Sequence, residues 1–204
     1  EHALALLRKL AGGGSVPYLA PASGTRYQLA AQTEATNVAN LGSALSDVAA
    51  IKTIGKALAT SRPLAVLGLR ASSGLATQFS YFAAKVHPDI RRIGDGGSLI
   101  EDQLEQVQAA GATMLLAFVM PLYPQEAIKA LRYAQQLNLK TAVVSDPTFT
   151  KQGAIADFLV CAGFSSNLVF DSSAASTVLV SILLAAMSDA MPEPAEARLE
   201  QGDQ

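Results

Sequence analysis

The chain of 204 residues has one cysteine, no tryptophan and only two histidines. A single thiol, Cys161, excludes an internal disulfide framework and suits a reducing cytoplasm. His2 and His87 stand far apart and no cysteines cluster, so no metal-ligand spacing is present. Positive charge is not in excess: 15 Lys and Arg against 17 Asp and Glu give a net charge of −2 and a pI near 5.7. Such a balance neutralises few phosphates, and these residues alone are not expected to bind nucleic acid. A membrane span needs about 20 consecutive apolar residues. The most apolar late stretch, "STVLVSILLAAMSDAM", is interrupted by serines and aspartate, so no membrane partner is expected. No signal or transit peptide is visible. The expected location is cytoplasmic. The chain begins at Glu1 rather than methionine, as a piece of a longer protein would.

Nucleotide fingerprints are lacking too. "GGGS" at 12–15 follows no strand and precedes no Gly-Lys-Ser/Thr. "GDGGS" at 94–98 lacks the Gly-x-Gly-x-x-Gly spacing and reads as a turn capped by Ser98. No cofactor and no metal are therefore expected.

What is present is a large apolar fraction, 50% of the residues, enough for one sizeable core. Residues 1–25, rich in Gly, Pro and Ser, read as an N-terminal segment and linker. From 26 to 61 apolar residues recur at three- and four-residue steps, from Val38 and Leu41 to Ile54 and Leu58, and Pro63 ends the run. Gly42 and Gly55 are the places where this helix would bend or break.

Strands then alternate with helices. Strands are expected at 64–69, 89–95, 113–120, 140–146 and 157–163, with helices at 73–86, 98–109, 125–137 and 172–190. The stretch "TMLLAFVM" is the most apolar strand and should be central, whereas "DIRRIGD" alternates as at a sheet edge. The pattern implies right-handed crossovers and an α/β, five-stranded, parallel, doubly wound sheet with helices on both faces and an extra N-terminal helical segment, and the flavodoxin-like order 2-1-3-4-5 is taken for it. The helix at 172–190 is apolar nearly all round. It needs a second partner surface, from the 26–61 helix or from a second copy of the chain, and a homo-oligomer, a dimer first, is expected.

In such a sheet, ligands sit beyond the carboxyl ends of the strands where the order reverses, here between strands 1 and 3. The first flanking loop is "GLRASSG". Gly68 permits a tight exit from the strand, Arg70 offers a charge, and Ser72 or Ser73 stands before the free N–H groups of a helix. A serine there is either a helix cap or a ligand contact, and spacing does not separate the two. The second loop is "MPLYPQE", from Met120 to Glu126. Pro124 suits the first helical turn and Glu126 the positive helix end. Tyr123 is its only hydroxyl, either packed over the loop or lying as a lid on a bound molecule. Ser145 and Asp146, ending strand 4, would form the far wall. His87 reads as a partner for a helix C-terminus. Glu101, Asp102 and Glu105 read as a solvated helix face.

"RPLAVLGLRASSGLA" resembles the first strand and loop of SIS (sugar isomerase) domains, whose pattern is Val-x-Gly-x-Gly-x-Ser. Gly68 and Ser72 match the first glycine and the serine, and Arg70 replaces the second glycine. "GGSLIEDQL", "LLAFVMPLYPQEAIKALRYAQQLNLKTAVVSDP" and "LVFDSSAAS" extend the likeness, which is greatest to the ligand-sensing domain of RpiR/MurR-type transcriptional regulators. The resemblance implies a bridging helix at 26–62, an SIS domain at 63–192 and a disordered tail at 193–204. It implies an effector-binding and dimerising part that senses a sugar phosphate, a sugar acid or a related carbohydrate derivative. DNA would be reached only through an N-terminal helix-turn-helix domain not seen in this chain. The expected contacts are Gly68, Arg70, Ser72, Ser73, Met120, Tyr123, Ser145 and Asp146, with no catalytic residue. The second loop departs from the family, whose usual Ser-x-Ser-Gly-x-Thr grips phosphate with hydroxyls. The alternative is a sugar-phosphate aldose–ketose isomerase of the same fold. It needs a positioned base, for which the second helix offers Glu101 and Glu105.

Overall fold

A computed structural model describes residues 25–45, 47–164, 168 and 170–191. The expected linker before residue 25 and the tail after 192 lie outside the described residues. Five strands form one parallel sheet: β1 (Leu64–Gly68), β2 (Ile90–Ile93), β3 (Met114–Phe118), β4 (Lys140–Ser145) and β5 (Phe158–Cys161). The order is β2-β1-β3-β4-β5, as the sequence implied. β1 and β3 are buried along their whole length, and β2 exposes its two arginines at one edge. Register across the centre runs from Ala65 beside Leu115 to Gly68 beside Phe118. Each strand is shorter than its apolar pattern. Val119 and Met120, for example, stay buried after β3 has ended.

Six α-helices are described: α1 (Thr25–Ala44), α2 (Val48–Thr60), α3 (Ser73–Val86), α4 (Leu99–Ala109), α5 (Gln125–Gln136) and α6 (Ala174–Asp189). The alternation of side chains along the strands splits the core in two. Val66, Leu116, Phe118 and Val144 face Leu58 of α2, Phe79 of α3 and Leu183 of α6. Leu67, Leu115 and Val143 face Leu104 of α4 and Leu131 of α5. The site lies at the top of the first of these layers.

The single helix expected over 26–61 is two helices, and neither suspected glycine breaks it. The chain turns between Ala44 and Val48, where the Asp47 carboxylate accepts from the N–H of Ala50 at 3.1 Å and starts α2. Gly42 stays helical in open surroundings. Gly55 is a contact glycine: a Cβ there would come within 2.3 Å of the Ala186 carbonyl oxygen on α6. α2 therefore lies directly on α6, with Ile54 and Leu58 joining Leu179, Leu183 and Met187 in one core. The chain's own helices α1, α2 and α3 supply the second partner that α6 requires.

Candidate functional site

Beyond the carboxyl ends of β1 and β3 the chain makes two loops that are tied together. Leu69 is extended, Arg70 takes a positive φ of 54°, and a 3-10 turn (Arg70–Ser72) leads into α3. Ser72 is buried, and its hydroxyl donates to the Met120 carbonyl at 2.8 Å and accepts from the Met120 N–H at 3.1 Å. It makes no side-chain cap bond to α3. The hydroxyl thus staples the β1 loop to the β3 loop, a third role beside the cap and the ligand contact. Gly68 serves close approach: a Cβ would lie 2.4 Å from that of Ala76 and 2.8 Å from the Ser72 carbonyl oxygen. Met120 is also joined to Pro121 by a cis peptide, and its sulfur accepts from the Ser176 hydroxyl of α6 at 3.1 Å.

Arg70 points to solvent. Its guanidinium meets Glu126, in the first turn of α5, at 3.5 Å, with the two side chains 72% and 41% exposed. Such a pair contributes about 0–1 kcal/mol.

The remaining expected contacts form a separate knot on the α4–α5 side. The Tyr123 hydroxyl donates to the Asp146 carboxylate and lies 2.6 Å from the Thr148 hydroxyl. Asp146 also accepts from the N–H and the hydroxyl of Thr148, at 2.8 and 2.6 Å, and so caps the 3-10 turn (Pro147–Gln152). The Tyr123 ring stands edge-on to Phe149, 5.4 Å between centroids. Burial, then the bond to Asp146, pushes the phenol up to about 12, so it is a protonated donor at neutral pH and no base. Ser145 is fully buried and donates to the Val119 carbonyl.

The cavity opens on the other side, between the first turns of α3 and α6. It measures about 220 Å³. Ala71, Gly74, Leu75 and Gln78 form one wall, Met120 and Pro121 the floor, and Phe164 with Asp171, Ser172, Ser173, Ser176 and Thr177 the opposite wall. Of the eight residues expected at the site, Met120 alone lines this cavity. Gly68, Ser72 and Ser73 belong to the same loop and helix start as its first wall without lining it, Arg70 is exposed beside Glu126, and Tyr123, Ser145 and Asp146 lie in the knot. The α6 wall was missed as a site, although "DSSAAS" carries the same signal as "RASSG": paired serines at a helix start.

Other expected residues are placed plainly. Glu105 accepts from the Tyr133 hydroxyl, and neither it nor Glu101 lines the cavity. Ser98 stands at the N-cap of α4 without a side-chain cap bond. His87 ends α3 buried, its Nδ1 accepting from the Asp89 N–H at 3.2 Å. Burial holds its pKa below the usual value. It is therefore a neutral acceptor and does not bring positive charge to the helix end. Burial, with the Asp146 charge added, pushes the Cys161 thiol up, away from reactivity. Among the described residues no group of three metal-ligating side chains forms, and no helix is long and apolar enough to cross a membrane.

No protein-family model matches the sequence, and no curated protein matches it either. Solved structures do match. The sugar isomerase domain of an RpiR transcription factor from Sphaerobacter thermophilus superposes with a TM-score of 0.73 at 21% identity, over 86% of this chain and 98% of that one. The Vibrio vulnificus NanR protein complexed with ManNAc-6P gives 0.71 at 14% identity, over 99% and 73%. An E. coli CFT073 protein in complex with A5P gives 0.66 at 11% identity, over 90% and 100%. With its parallel sheet in the order β2-β1-β3-β4-β5 and helices on both faces, this chain has the fold of a sugar isomerase (SIS) domain.

Proposed function

We propose that this chain is the effector-binding part of a transcriptional regulator of the RpiR type, sensing a sugar phosphate or a related carbohydrate derivative. The observation that carries the reading is the cavity itself. It lies at the switch point of an SIS fold, between two helix starts, and its lining mixes hydroxyls and an amide with the apolar faces of Leu75, Met120 and Phe164. That mixture suits a sugar, which presents hydroxyls at its edge and C–H groups on its faces. A likeness to an RpiR transcription factor domain and to NanR holding ManNAc-6P supports a sensor. DNA contact would be made by a domain beyond the described residues. The effector would act by unequal affinity for two arrangements of a dimer.

The isomerase alternative needs a base beside the substrate. Among the described residues the cavity is lined by no histidine and by one carboxylate, Asp171, and the Glu101 and Glu105 of that alternative are elsewhere. The test has two arms. Sugar phosphates such as arabinose 5-phosphate and glucosamine 6-phosphate are offered to the protein, and both binding and turnover are followed. Binding without turnover is expected. Turnover that vanishes in Glu101→Gln establishes the enzyme instead.

A further inference from the structure

The described wall of the cavity carries a carboxylate and no cation. Among the described residues that line it there is no lysine, arginine or histidine, and one carboxylate, Asp171. Asp171 is exposed, and no described cation pairs with it. Arg70, next in the chain to the lining residue Ala71, does not line the cavity and is turned to Glu126. The β3 loop adds no hydroxyl, because Tyr123 is bound into the knot with Asp146 and Thr148.

Two helix starts face the cavity, α3 and α6, and each carries at most about half a positive charge. The start of α3 is weaker than that limit, since the 3-10 turn ahead of it already takes the Ser73 N–H onto the Arg70 carbonyl. The start of α6 is weaker too, because its Ala174 N–H goes to the Ser172 hydroxyl at 3.4 Å, and Asp171 opposes the positive charge that remains. A phosphate dianion entering this space meets a wall of no net positive charge and must also leave water. A sugar without phosphate meets hydroxyls from Ser172, Ser173 and Thr177, the Gln78 amide and the Phe164 ring, with no charge to desolvate. The volume, about 220 Å³, lies below the roughly 300–1,000 Å³ of drug-sized sites and suits one monosaccharide.

We infer that the cavity selects an unphosphorylated monosaccharide over its phosphate ester, with Asp171 as the residue that sets this preference. The inference rests on the proposed carbohydrate-sensing role and names the ligand class within it. Asp171 would reject the phosphate by like charge and would accept hydrogen bonds from sugar hydroxyls or from an amine.

Calorimetric titration tests it with three matched pairs: glucosamine, N-acetylmannosamine and arabinose against glucosamine 6-phosphate, N-acetylmannosamine 6-phosphate and arabinose 5-phosphate. At least one free sugar is expected to bind the parent chain about tenfold tighter than its ester. Asp171→Asn, an isosteric change at an exposed position, should narrow that ratio by about tenfold, the effect of one unit charge across a cavity of this size. Asp171→Lys should reverse it. An ester that binds the parent tighter than its free sugar overturns the inference and leaves the carbohydrate-sensing reading standing. An ester that binds parent and both variants equally removes Asp171 from the selection. Failure of every free sugar and every ester to bind overturns the carbohydrate-sensing reading together with the inference.

Discussion

The two sides of the sheet's upper rim differ in what their hydroxyls do. On the α4–α5 side, Tyr123, Thr148 and Ser145 have partners inside the protein, with Asp146 at the centre. On the α3–α6 side, Ser173 makes no side-chain cap bond and stands at a cavity wall with Thr177 and with Ser172, whose hydroxyl accepts a long bond from the Ala174 N–H at 3.4 Å. Ser72, between the two, belongs to the bonded set through Met120. A hydroxyl already satisfied by the protein holds the frame, and one left facing a cavity is available to a ligand. The same residue types, before the same kind of helix, therefore have opposite uses.

The largest way to break the frame is at Gly68. Gly68→Ala places a methyl 2.4 Å from the Ala76 Cβ and 2.8 Å from a backbone oxygen, neither of which can swing away. A loss of about 3 kcal/mol in urea unfolding is expected from such overpacking; an unchanged midpoint would mean that β1 and α3 part easily. Ser72→Ala comes next. It removes both bonds to Met120 and leaves a buried N–H and carbonyl unpaired, so unfolding should ease by about 2 kcal/mol. Its signature is lost stability, and a variant that keeps the parent melting temperature while losing sugar affinity would return Ser72 to the ligand-contact class.

Tyr123→Phe probes the closed side. Removing the phenol hydroxyl should cost about 1 kcal/mol and leave sugar binding at the α3–α6 cavity unchanged, as two titrations side by side would show. Ser173→Ala is the converse: stability within about 0.5 kcal/mol of the parent, and sugar affinity lower by about three- to tenfold. The smallest effect concerns His87, at the far end of α3. Burial holds its folded pKa below the ordinary histidine value of about 6.5. The unfolded chain therefore binds the proton more readily, and stability from this group is present above about pH 6.5 and falls as the pH drops below it. Melting temperatures taken between pH 7.5 and 5.0 should decline more steeply in the parent than in His87→Gln.

Much of the architecture was legible. Short apolar runs such as "LAVLG" and "MLLAF", bounded by turn residues and alternating with helical stretches, suit central strands, and right-handed crossovers restrict how such strands are ordered. The place of Glu126 in the first turn of α5 was readable from its type, and Pro124 stands one residue earlier than expected, just before that turn. The break before Asp47 was not, because glycine is the stronger helix breaker by propensity and nothing local shows that Gly55 is needed against Ala186. The site was legible as a place and only partly as a set of residues. Position at the switch point followed from topology, whereas the fate of each hydroxyl depended on partners tens of residues away.

The sequence by itself determined the sheet, its crossovers and the end of it where the cavity opens, because those follow from side-chain periodicity and the handedness of L-residues. Only the tertiary structure decided that Ser72 faces Met120 while Ser173 faces a cavity, and that α6 rather than the β4 loop forms the second wall. A hydroxyl's role depends on whether a partner lies within about 3 Å, and at that range chain separation carries no information.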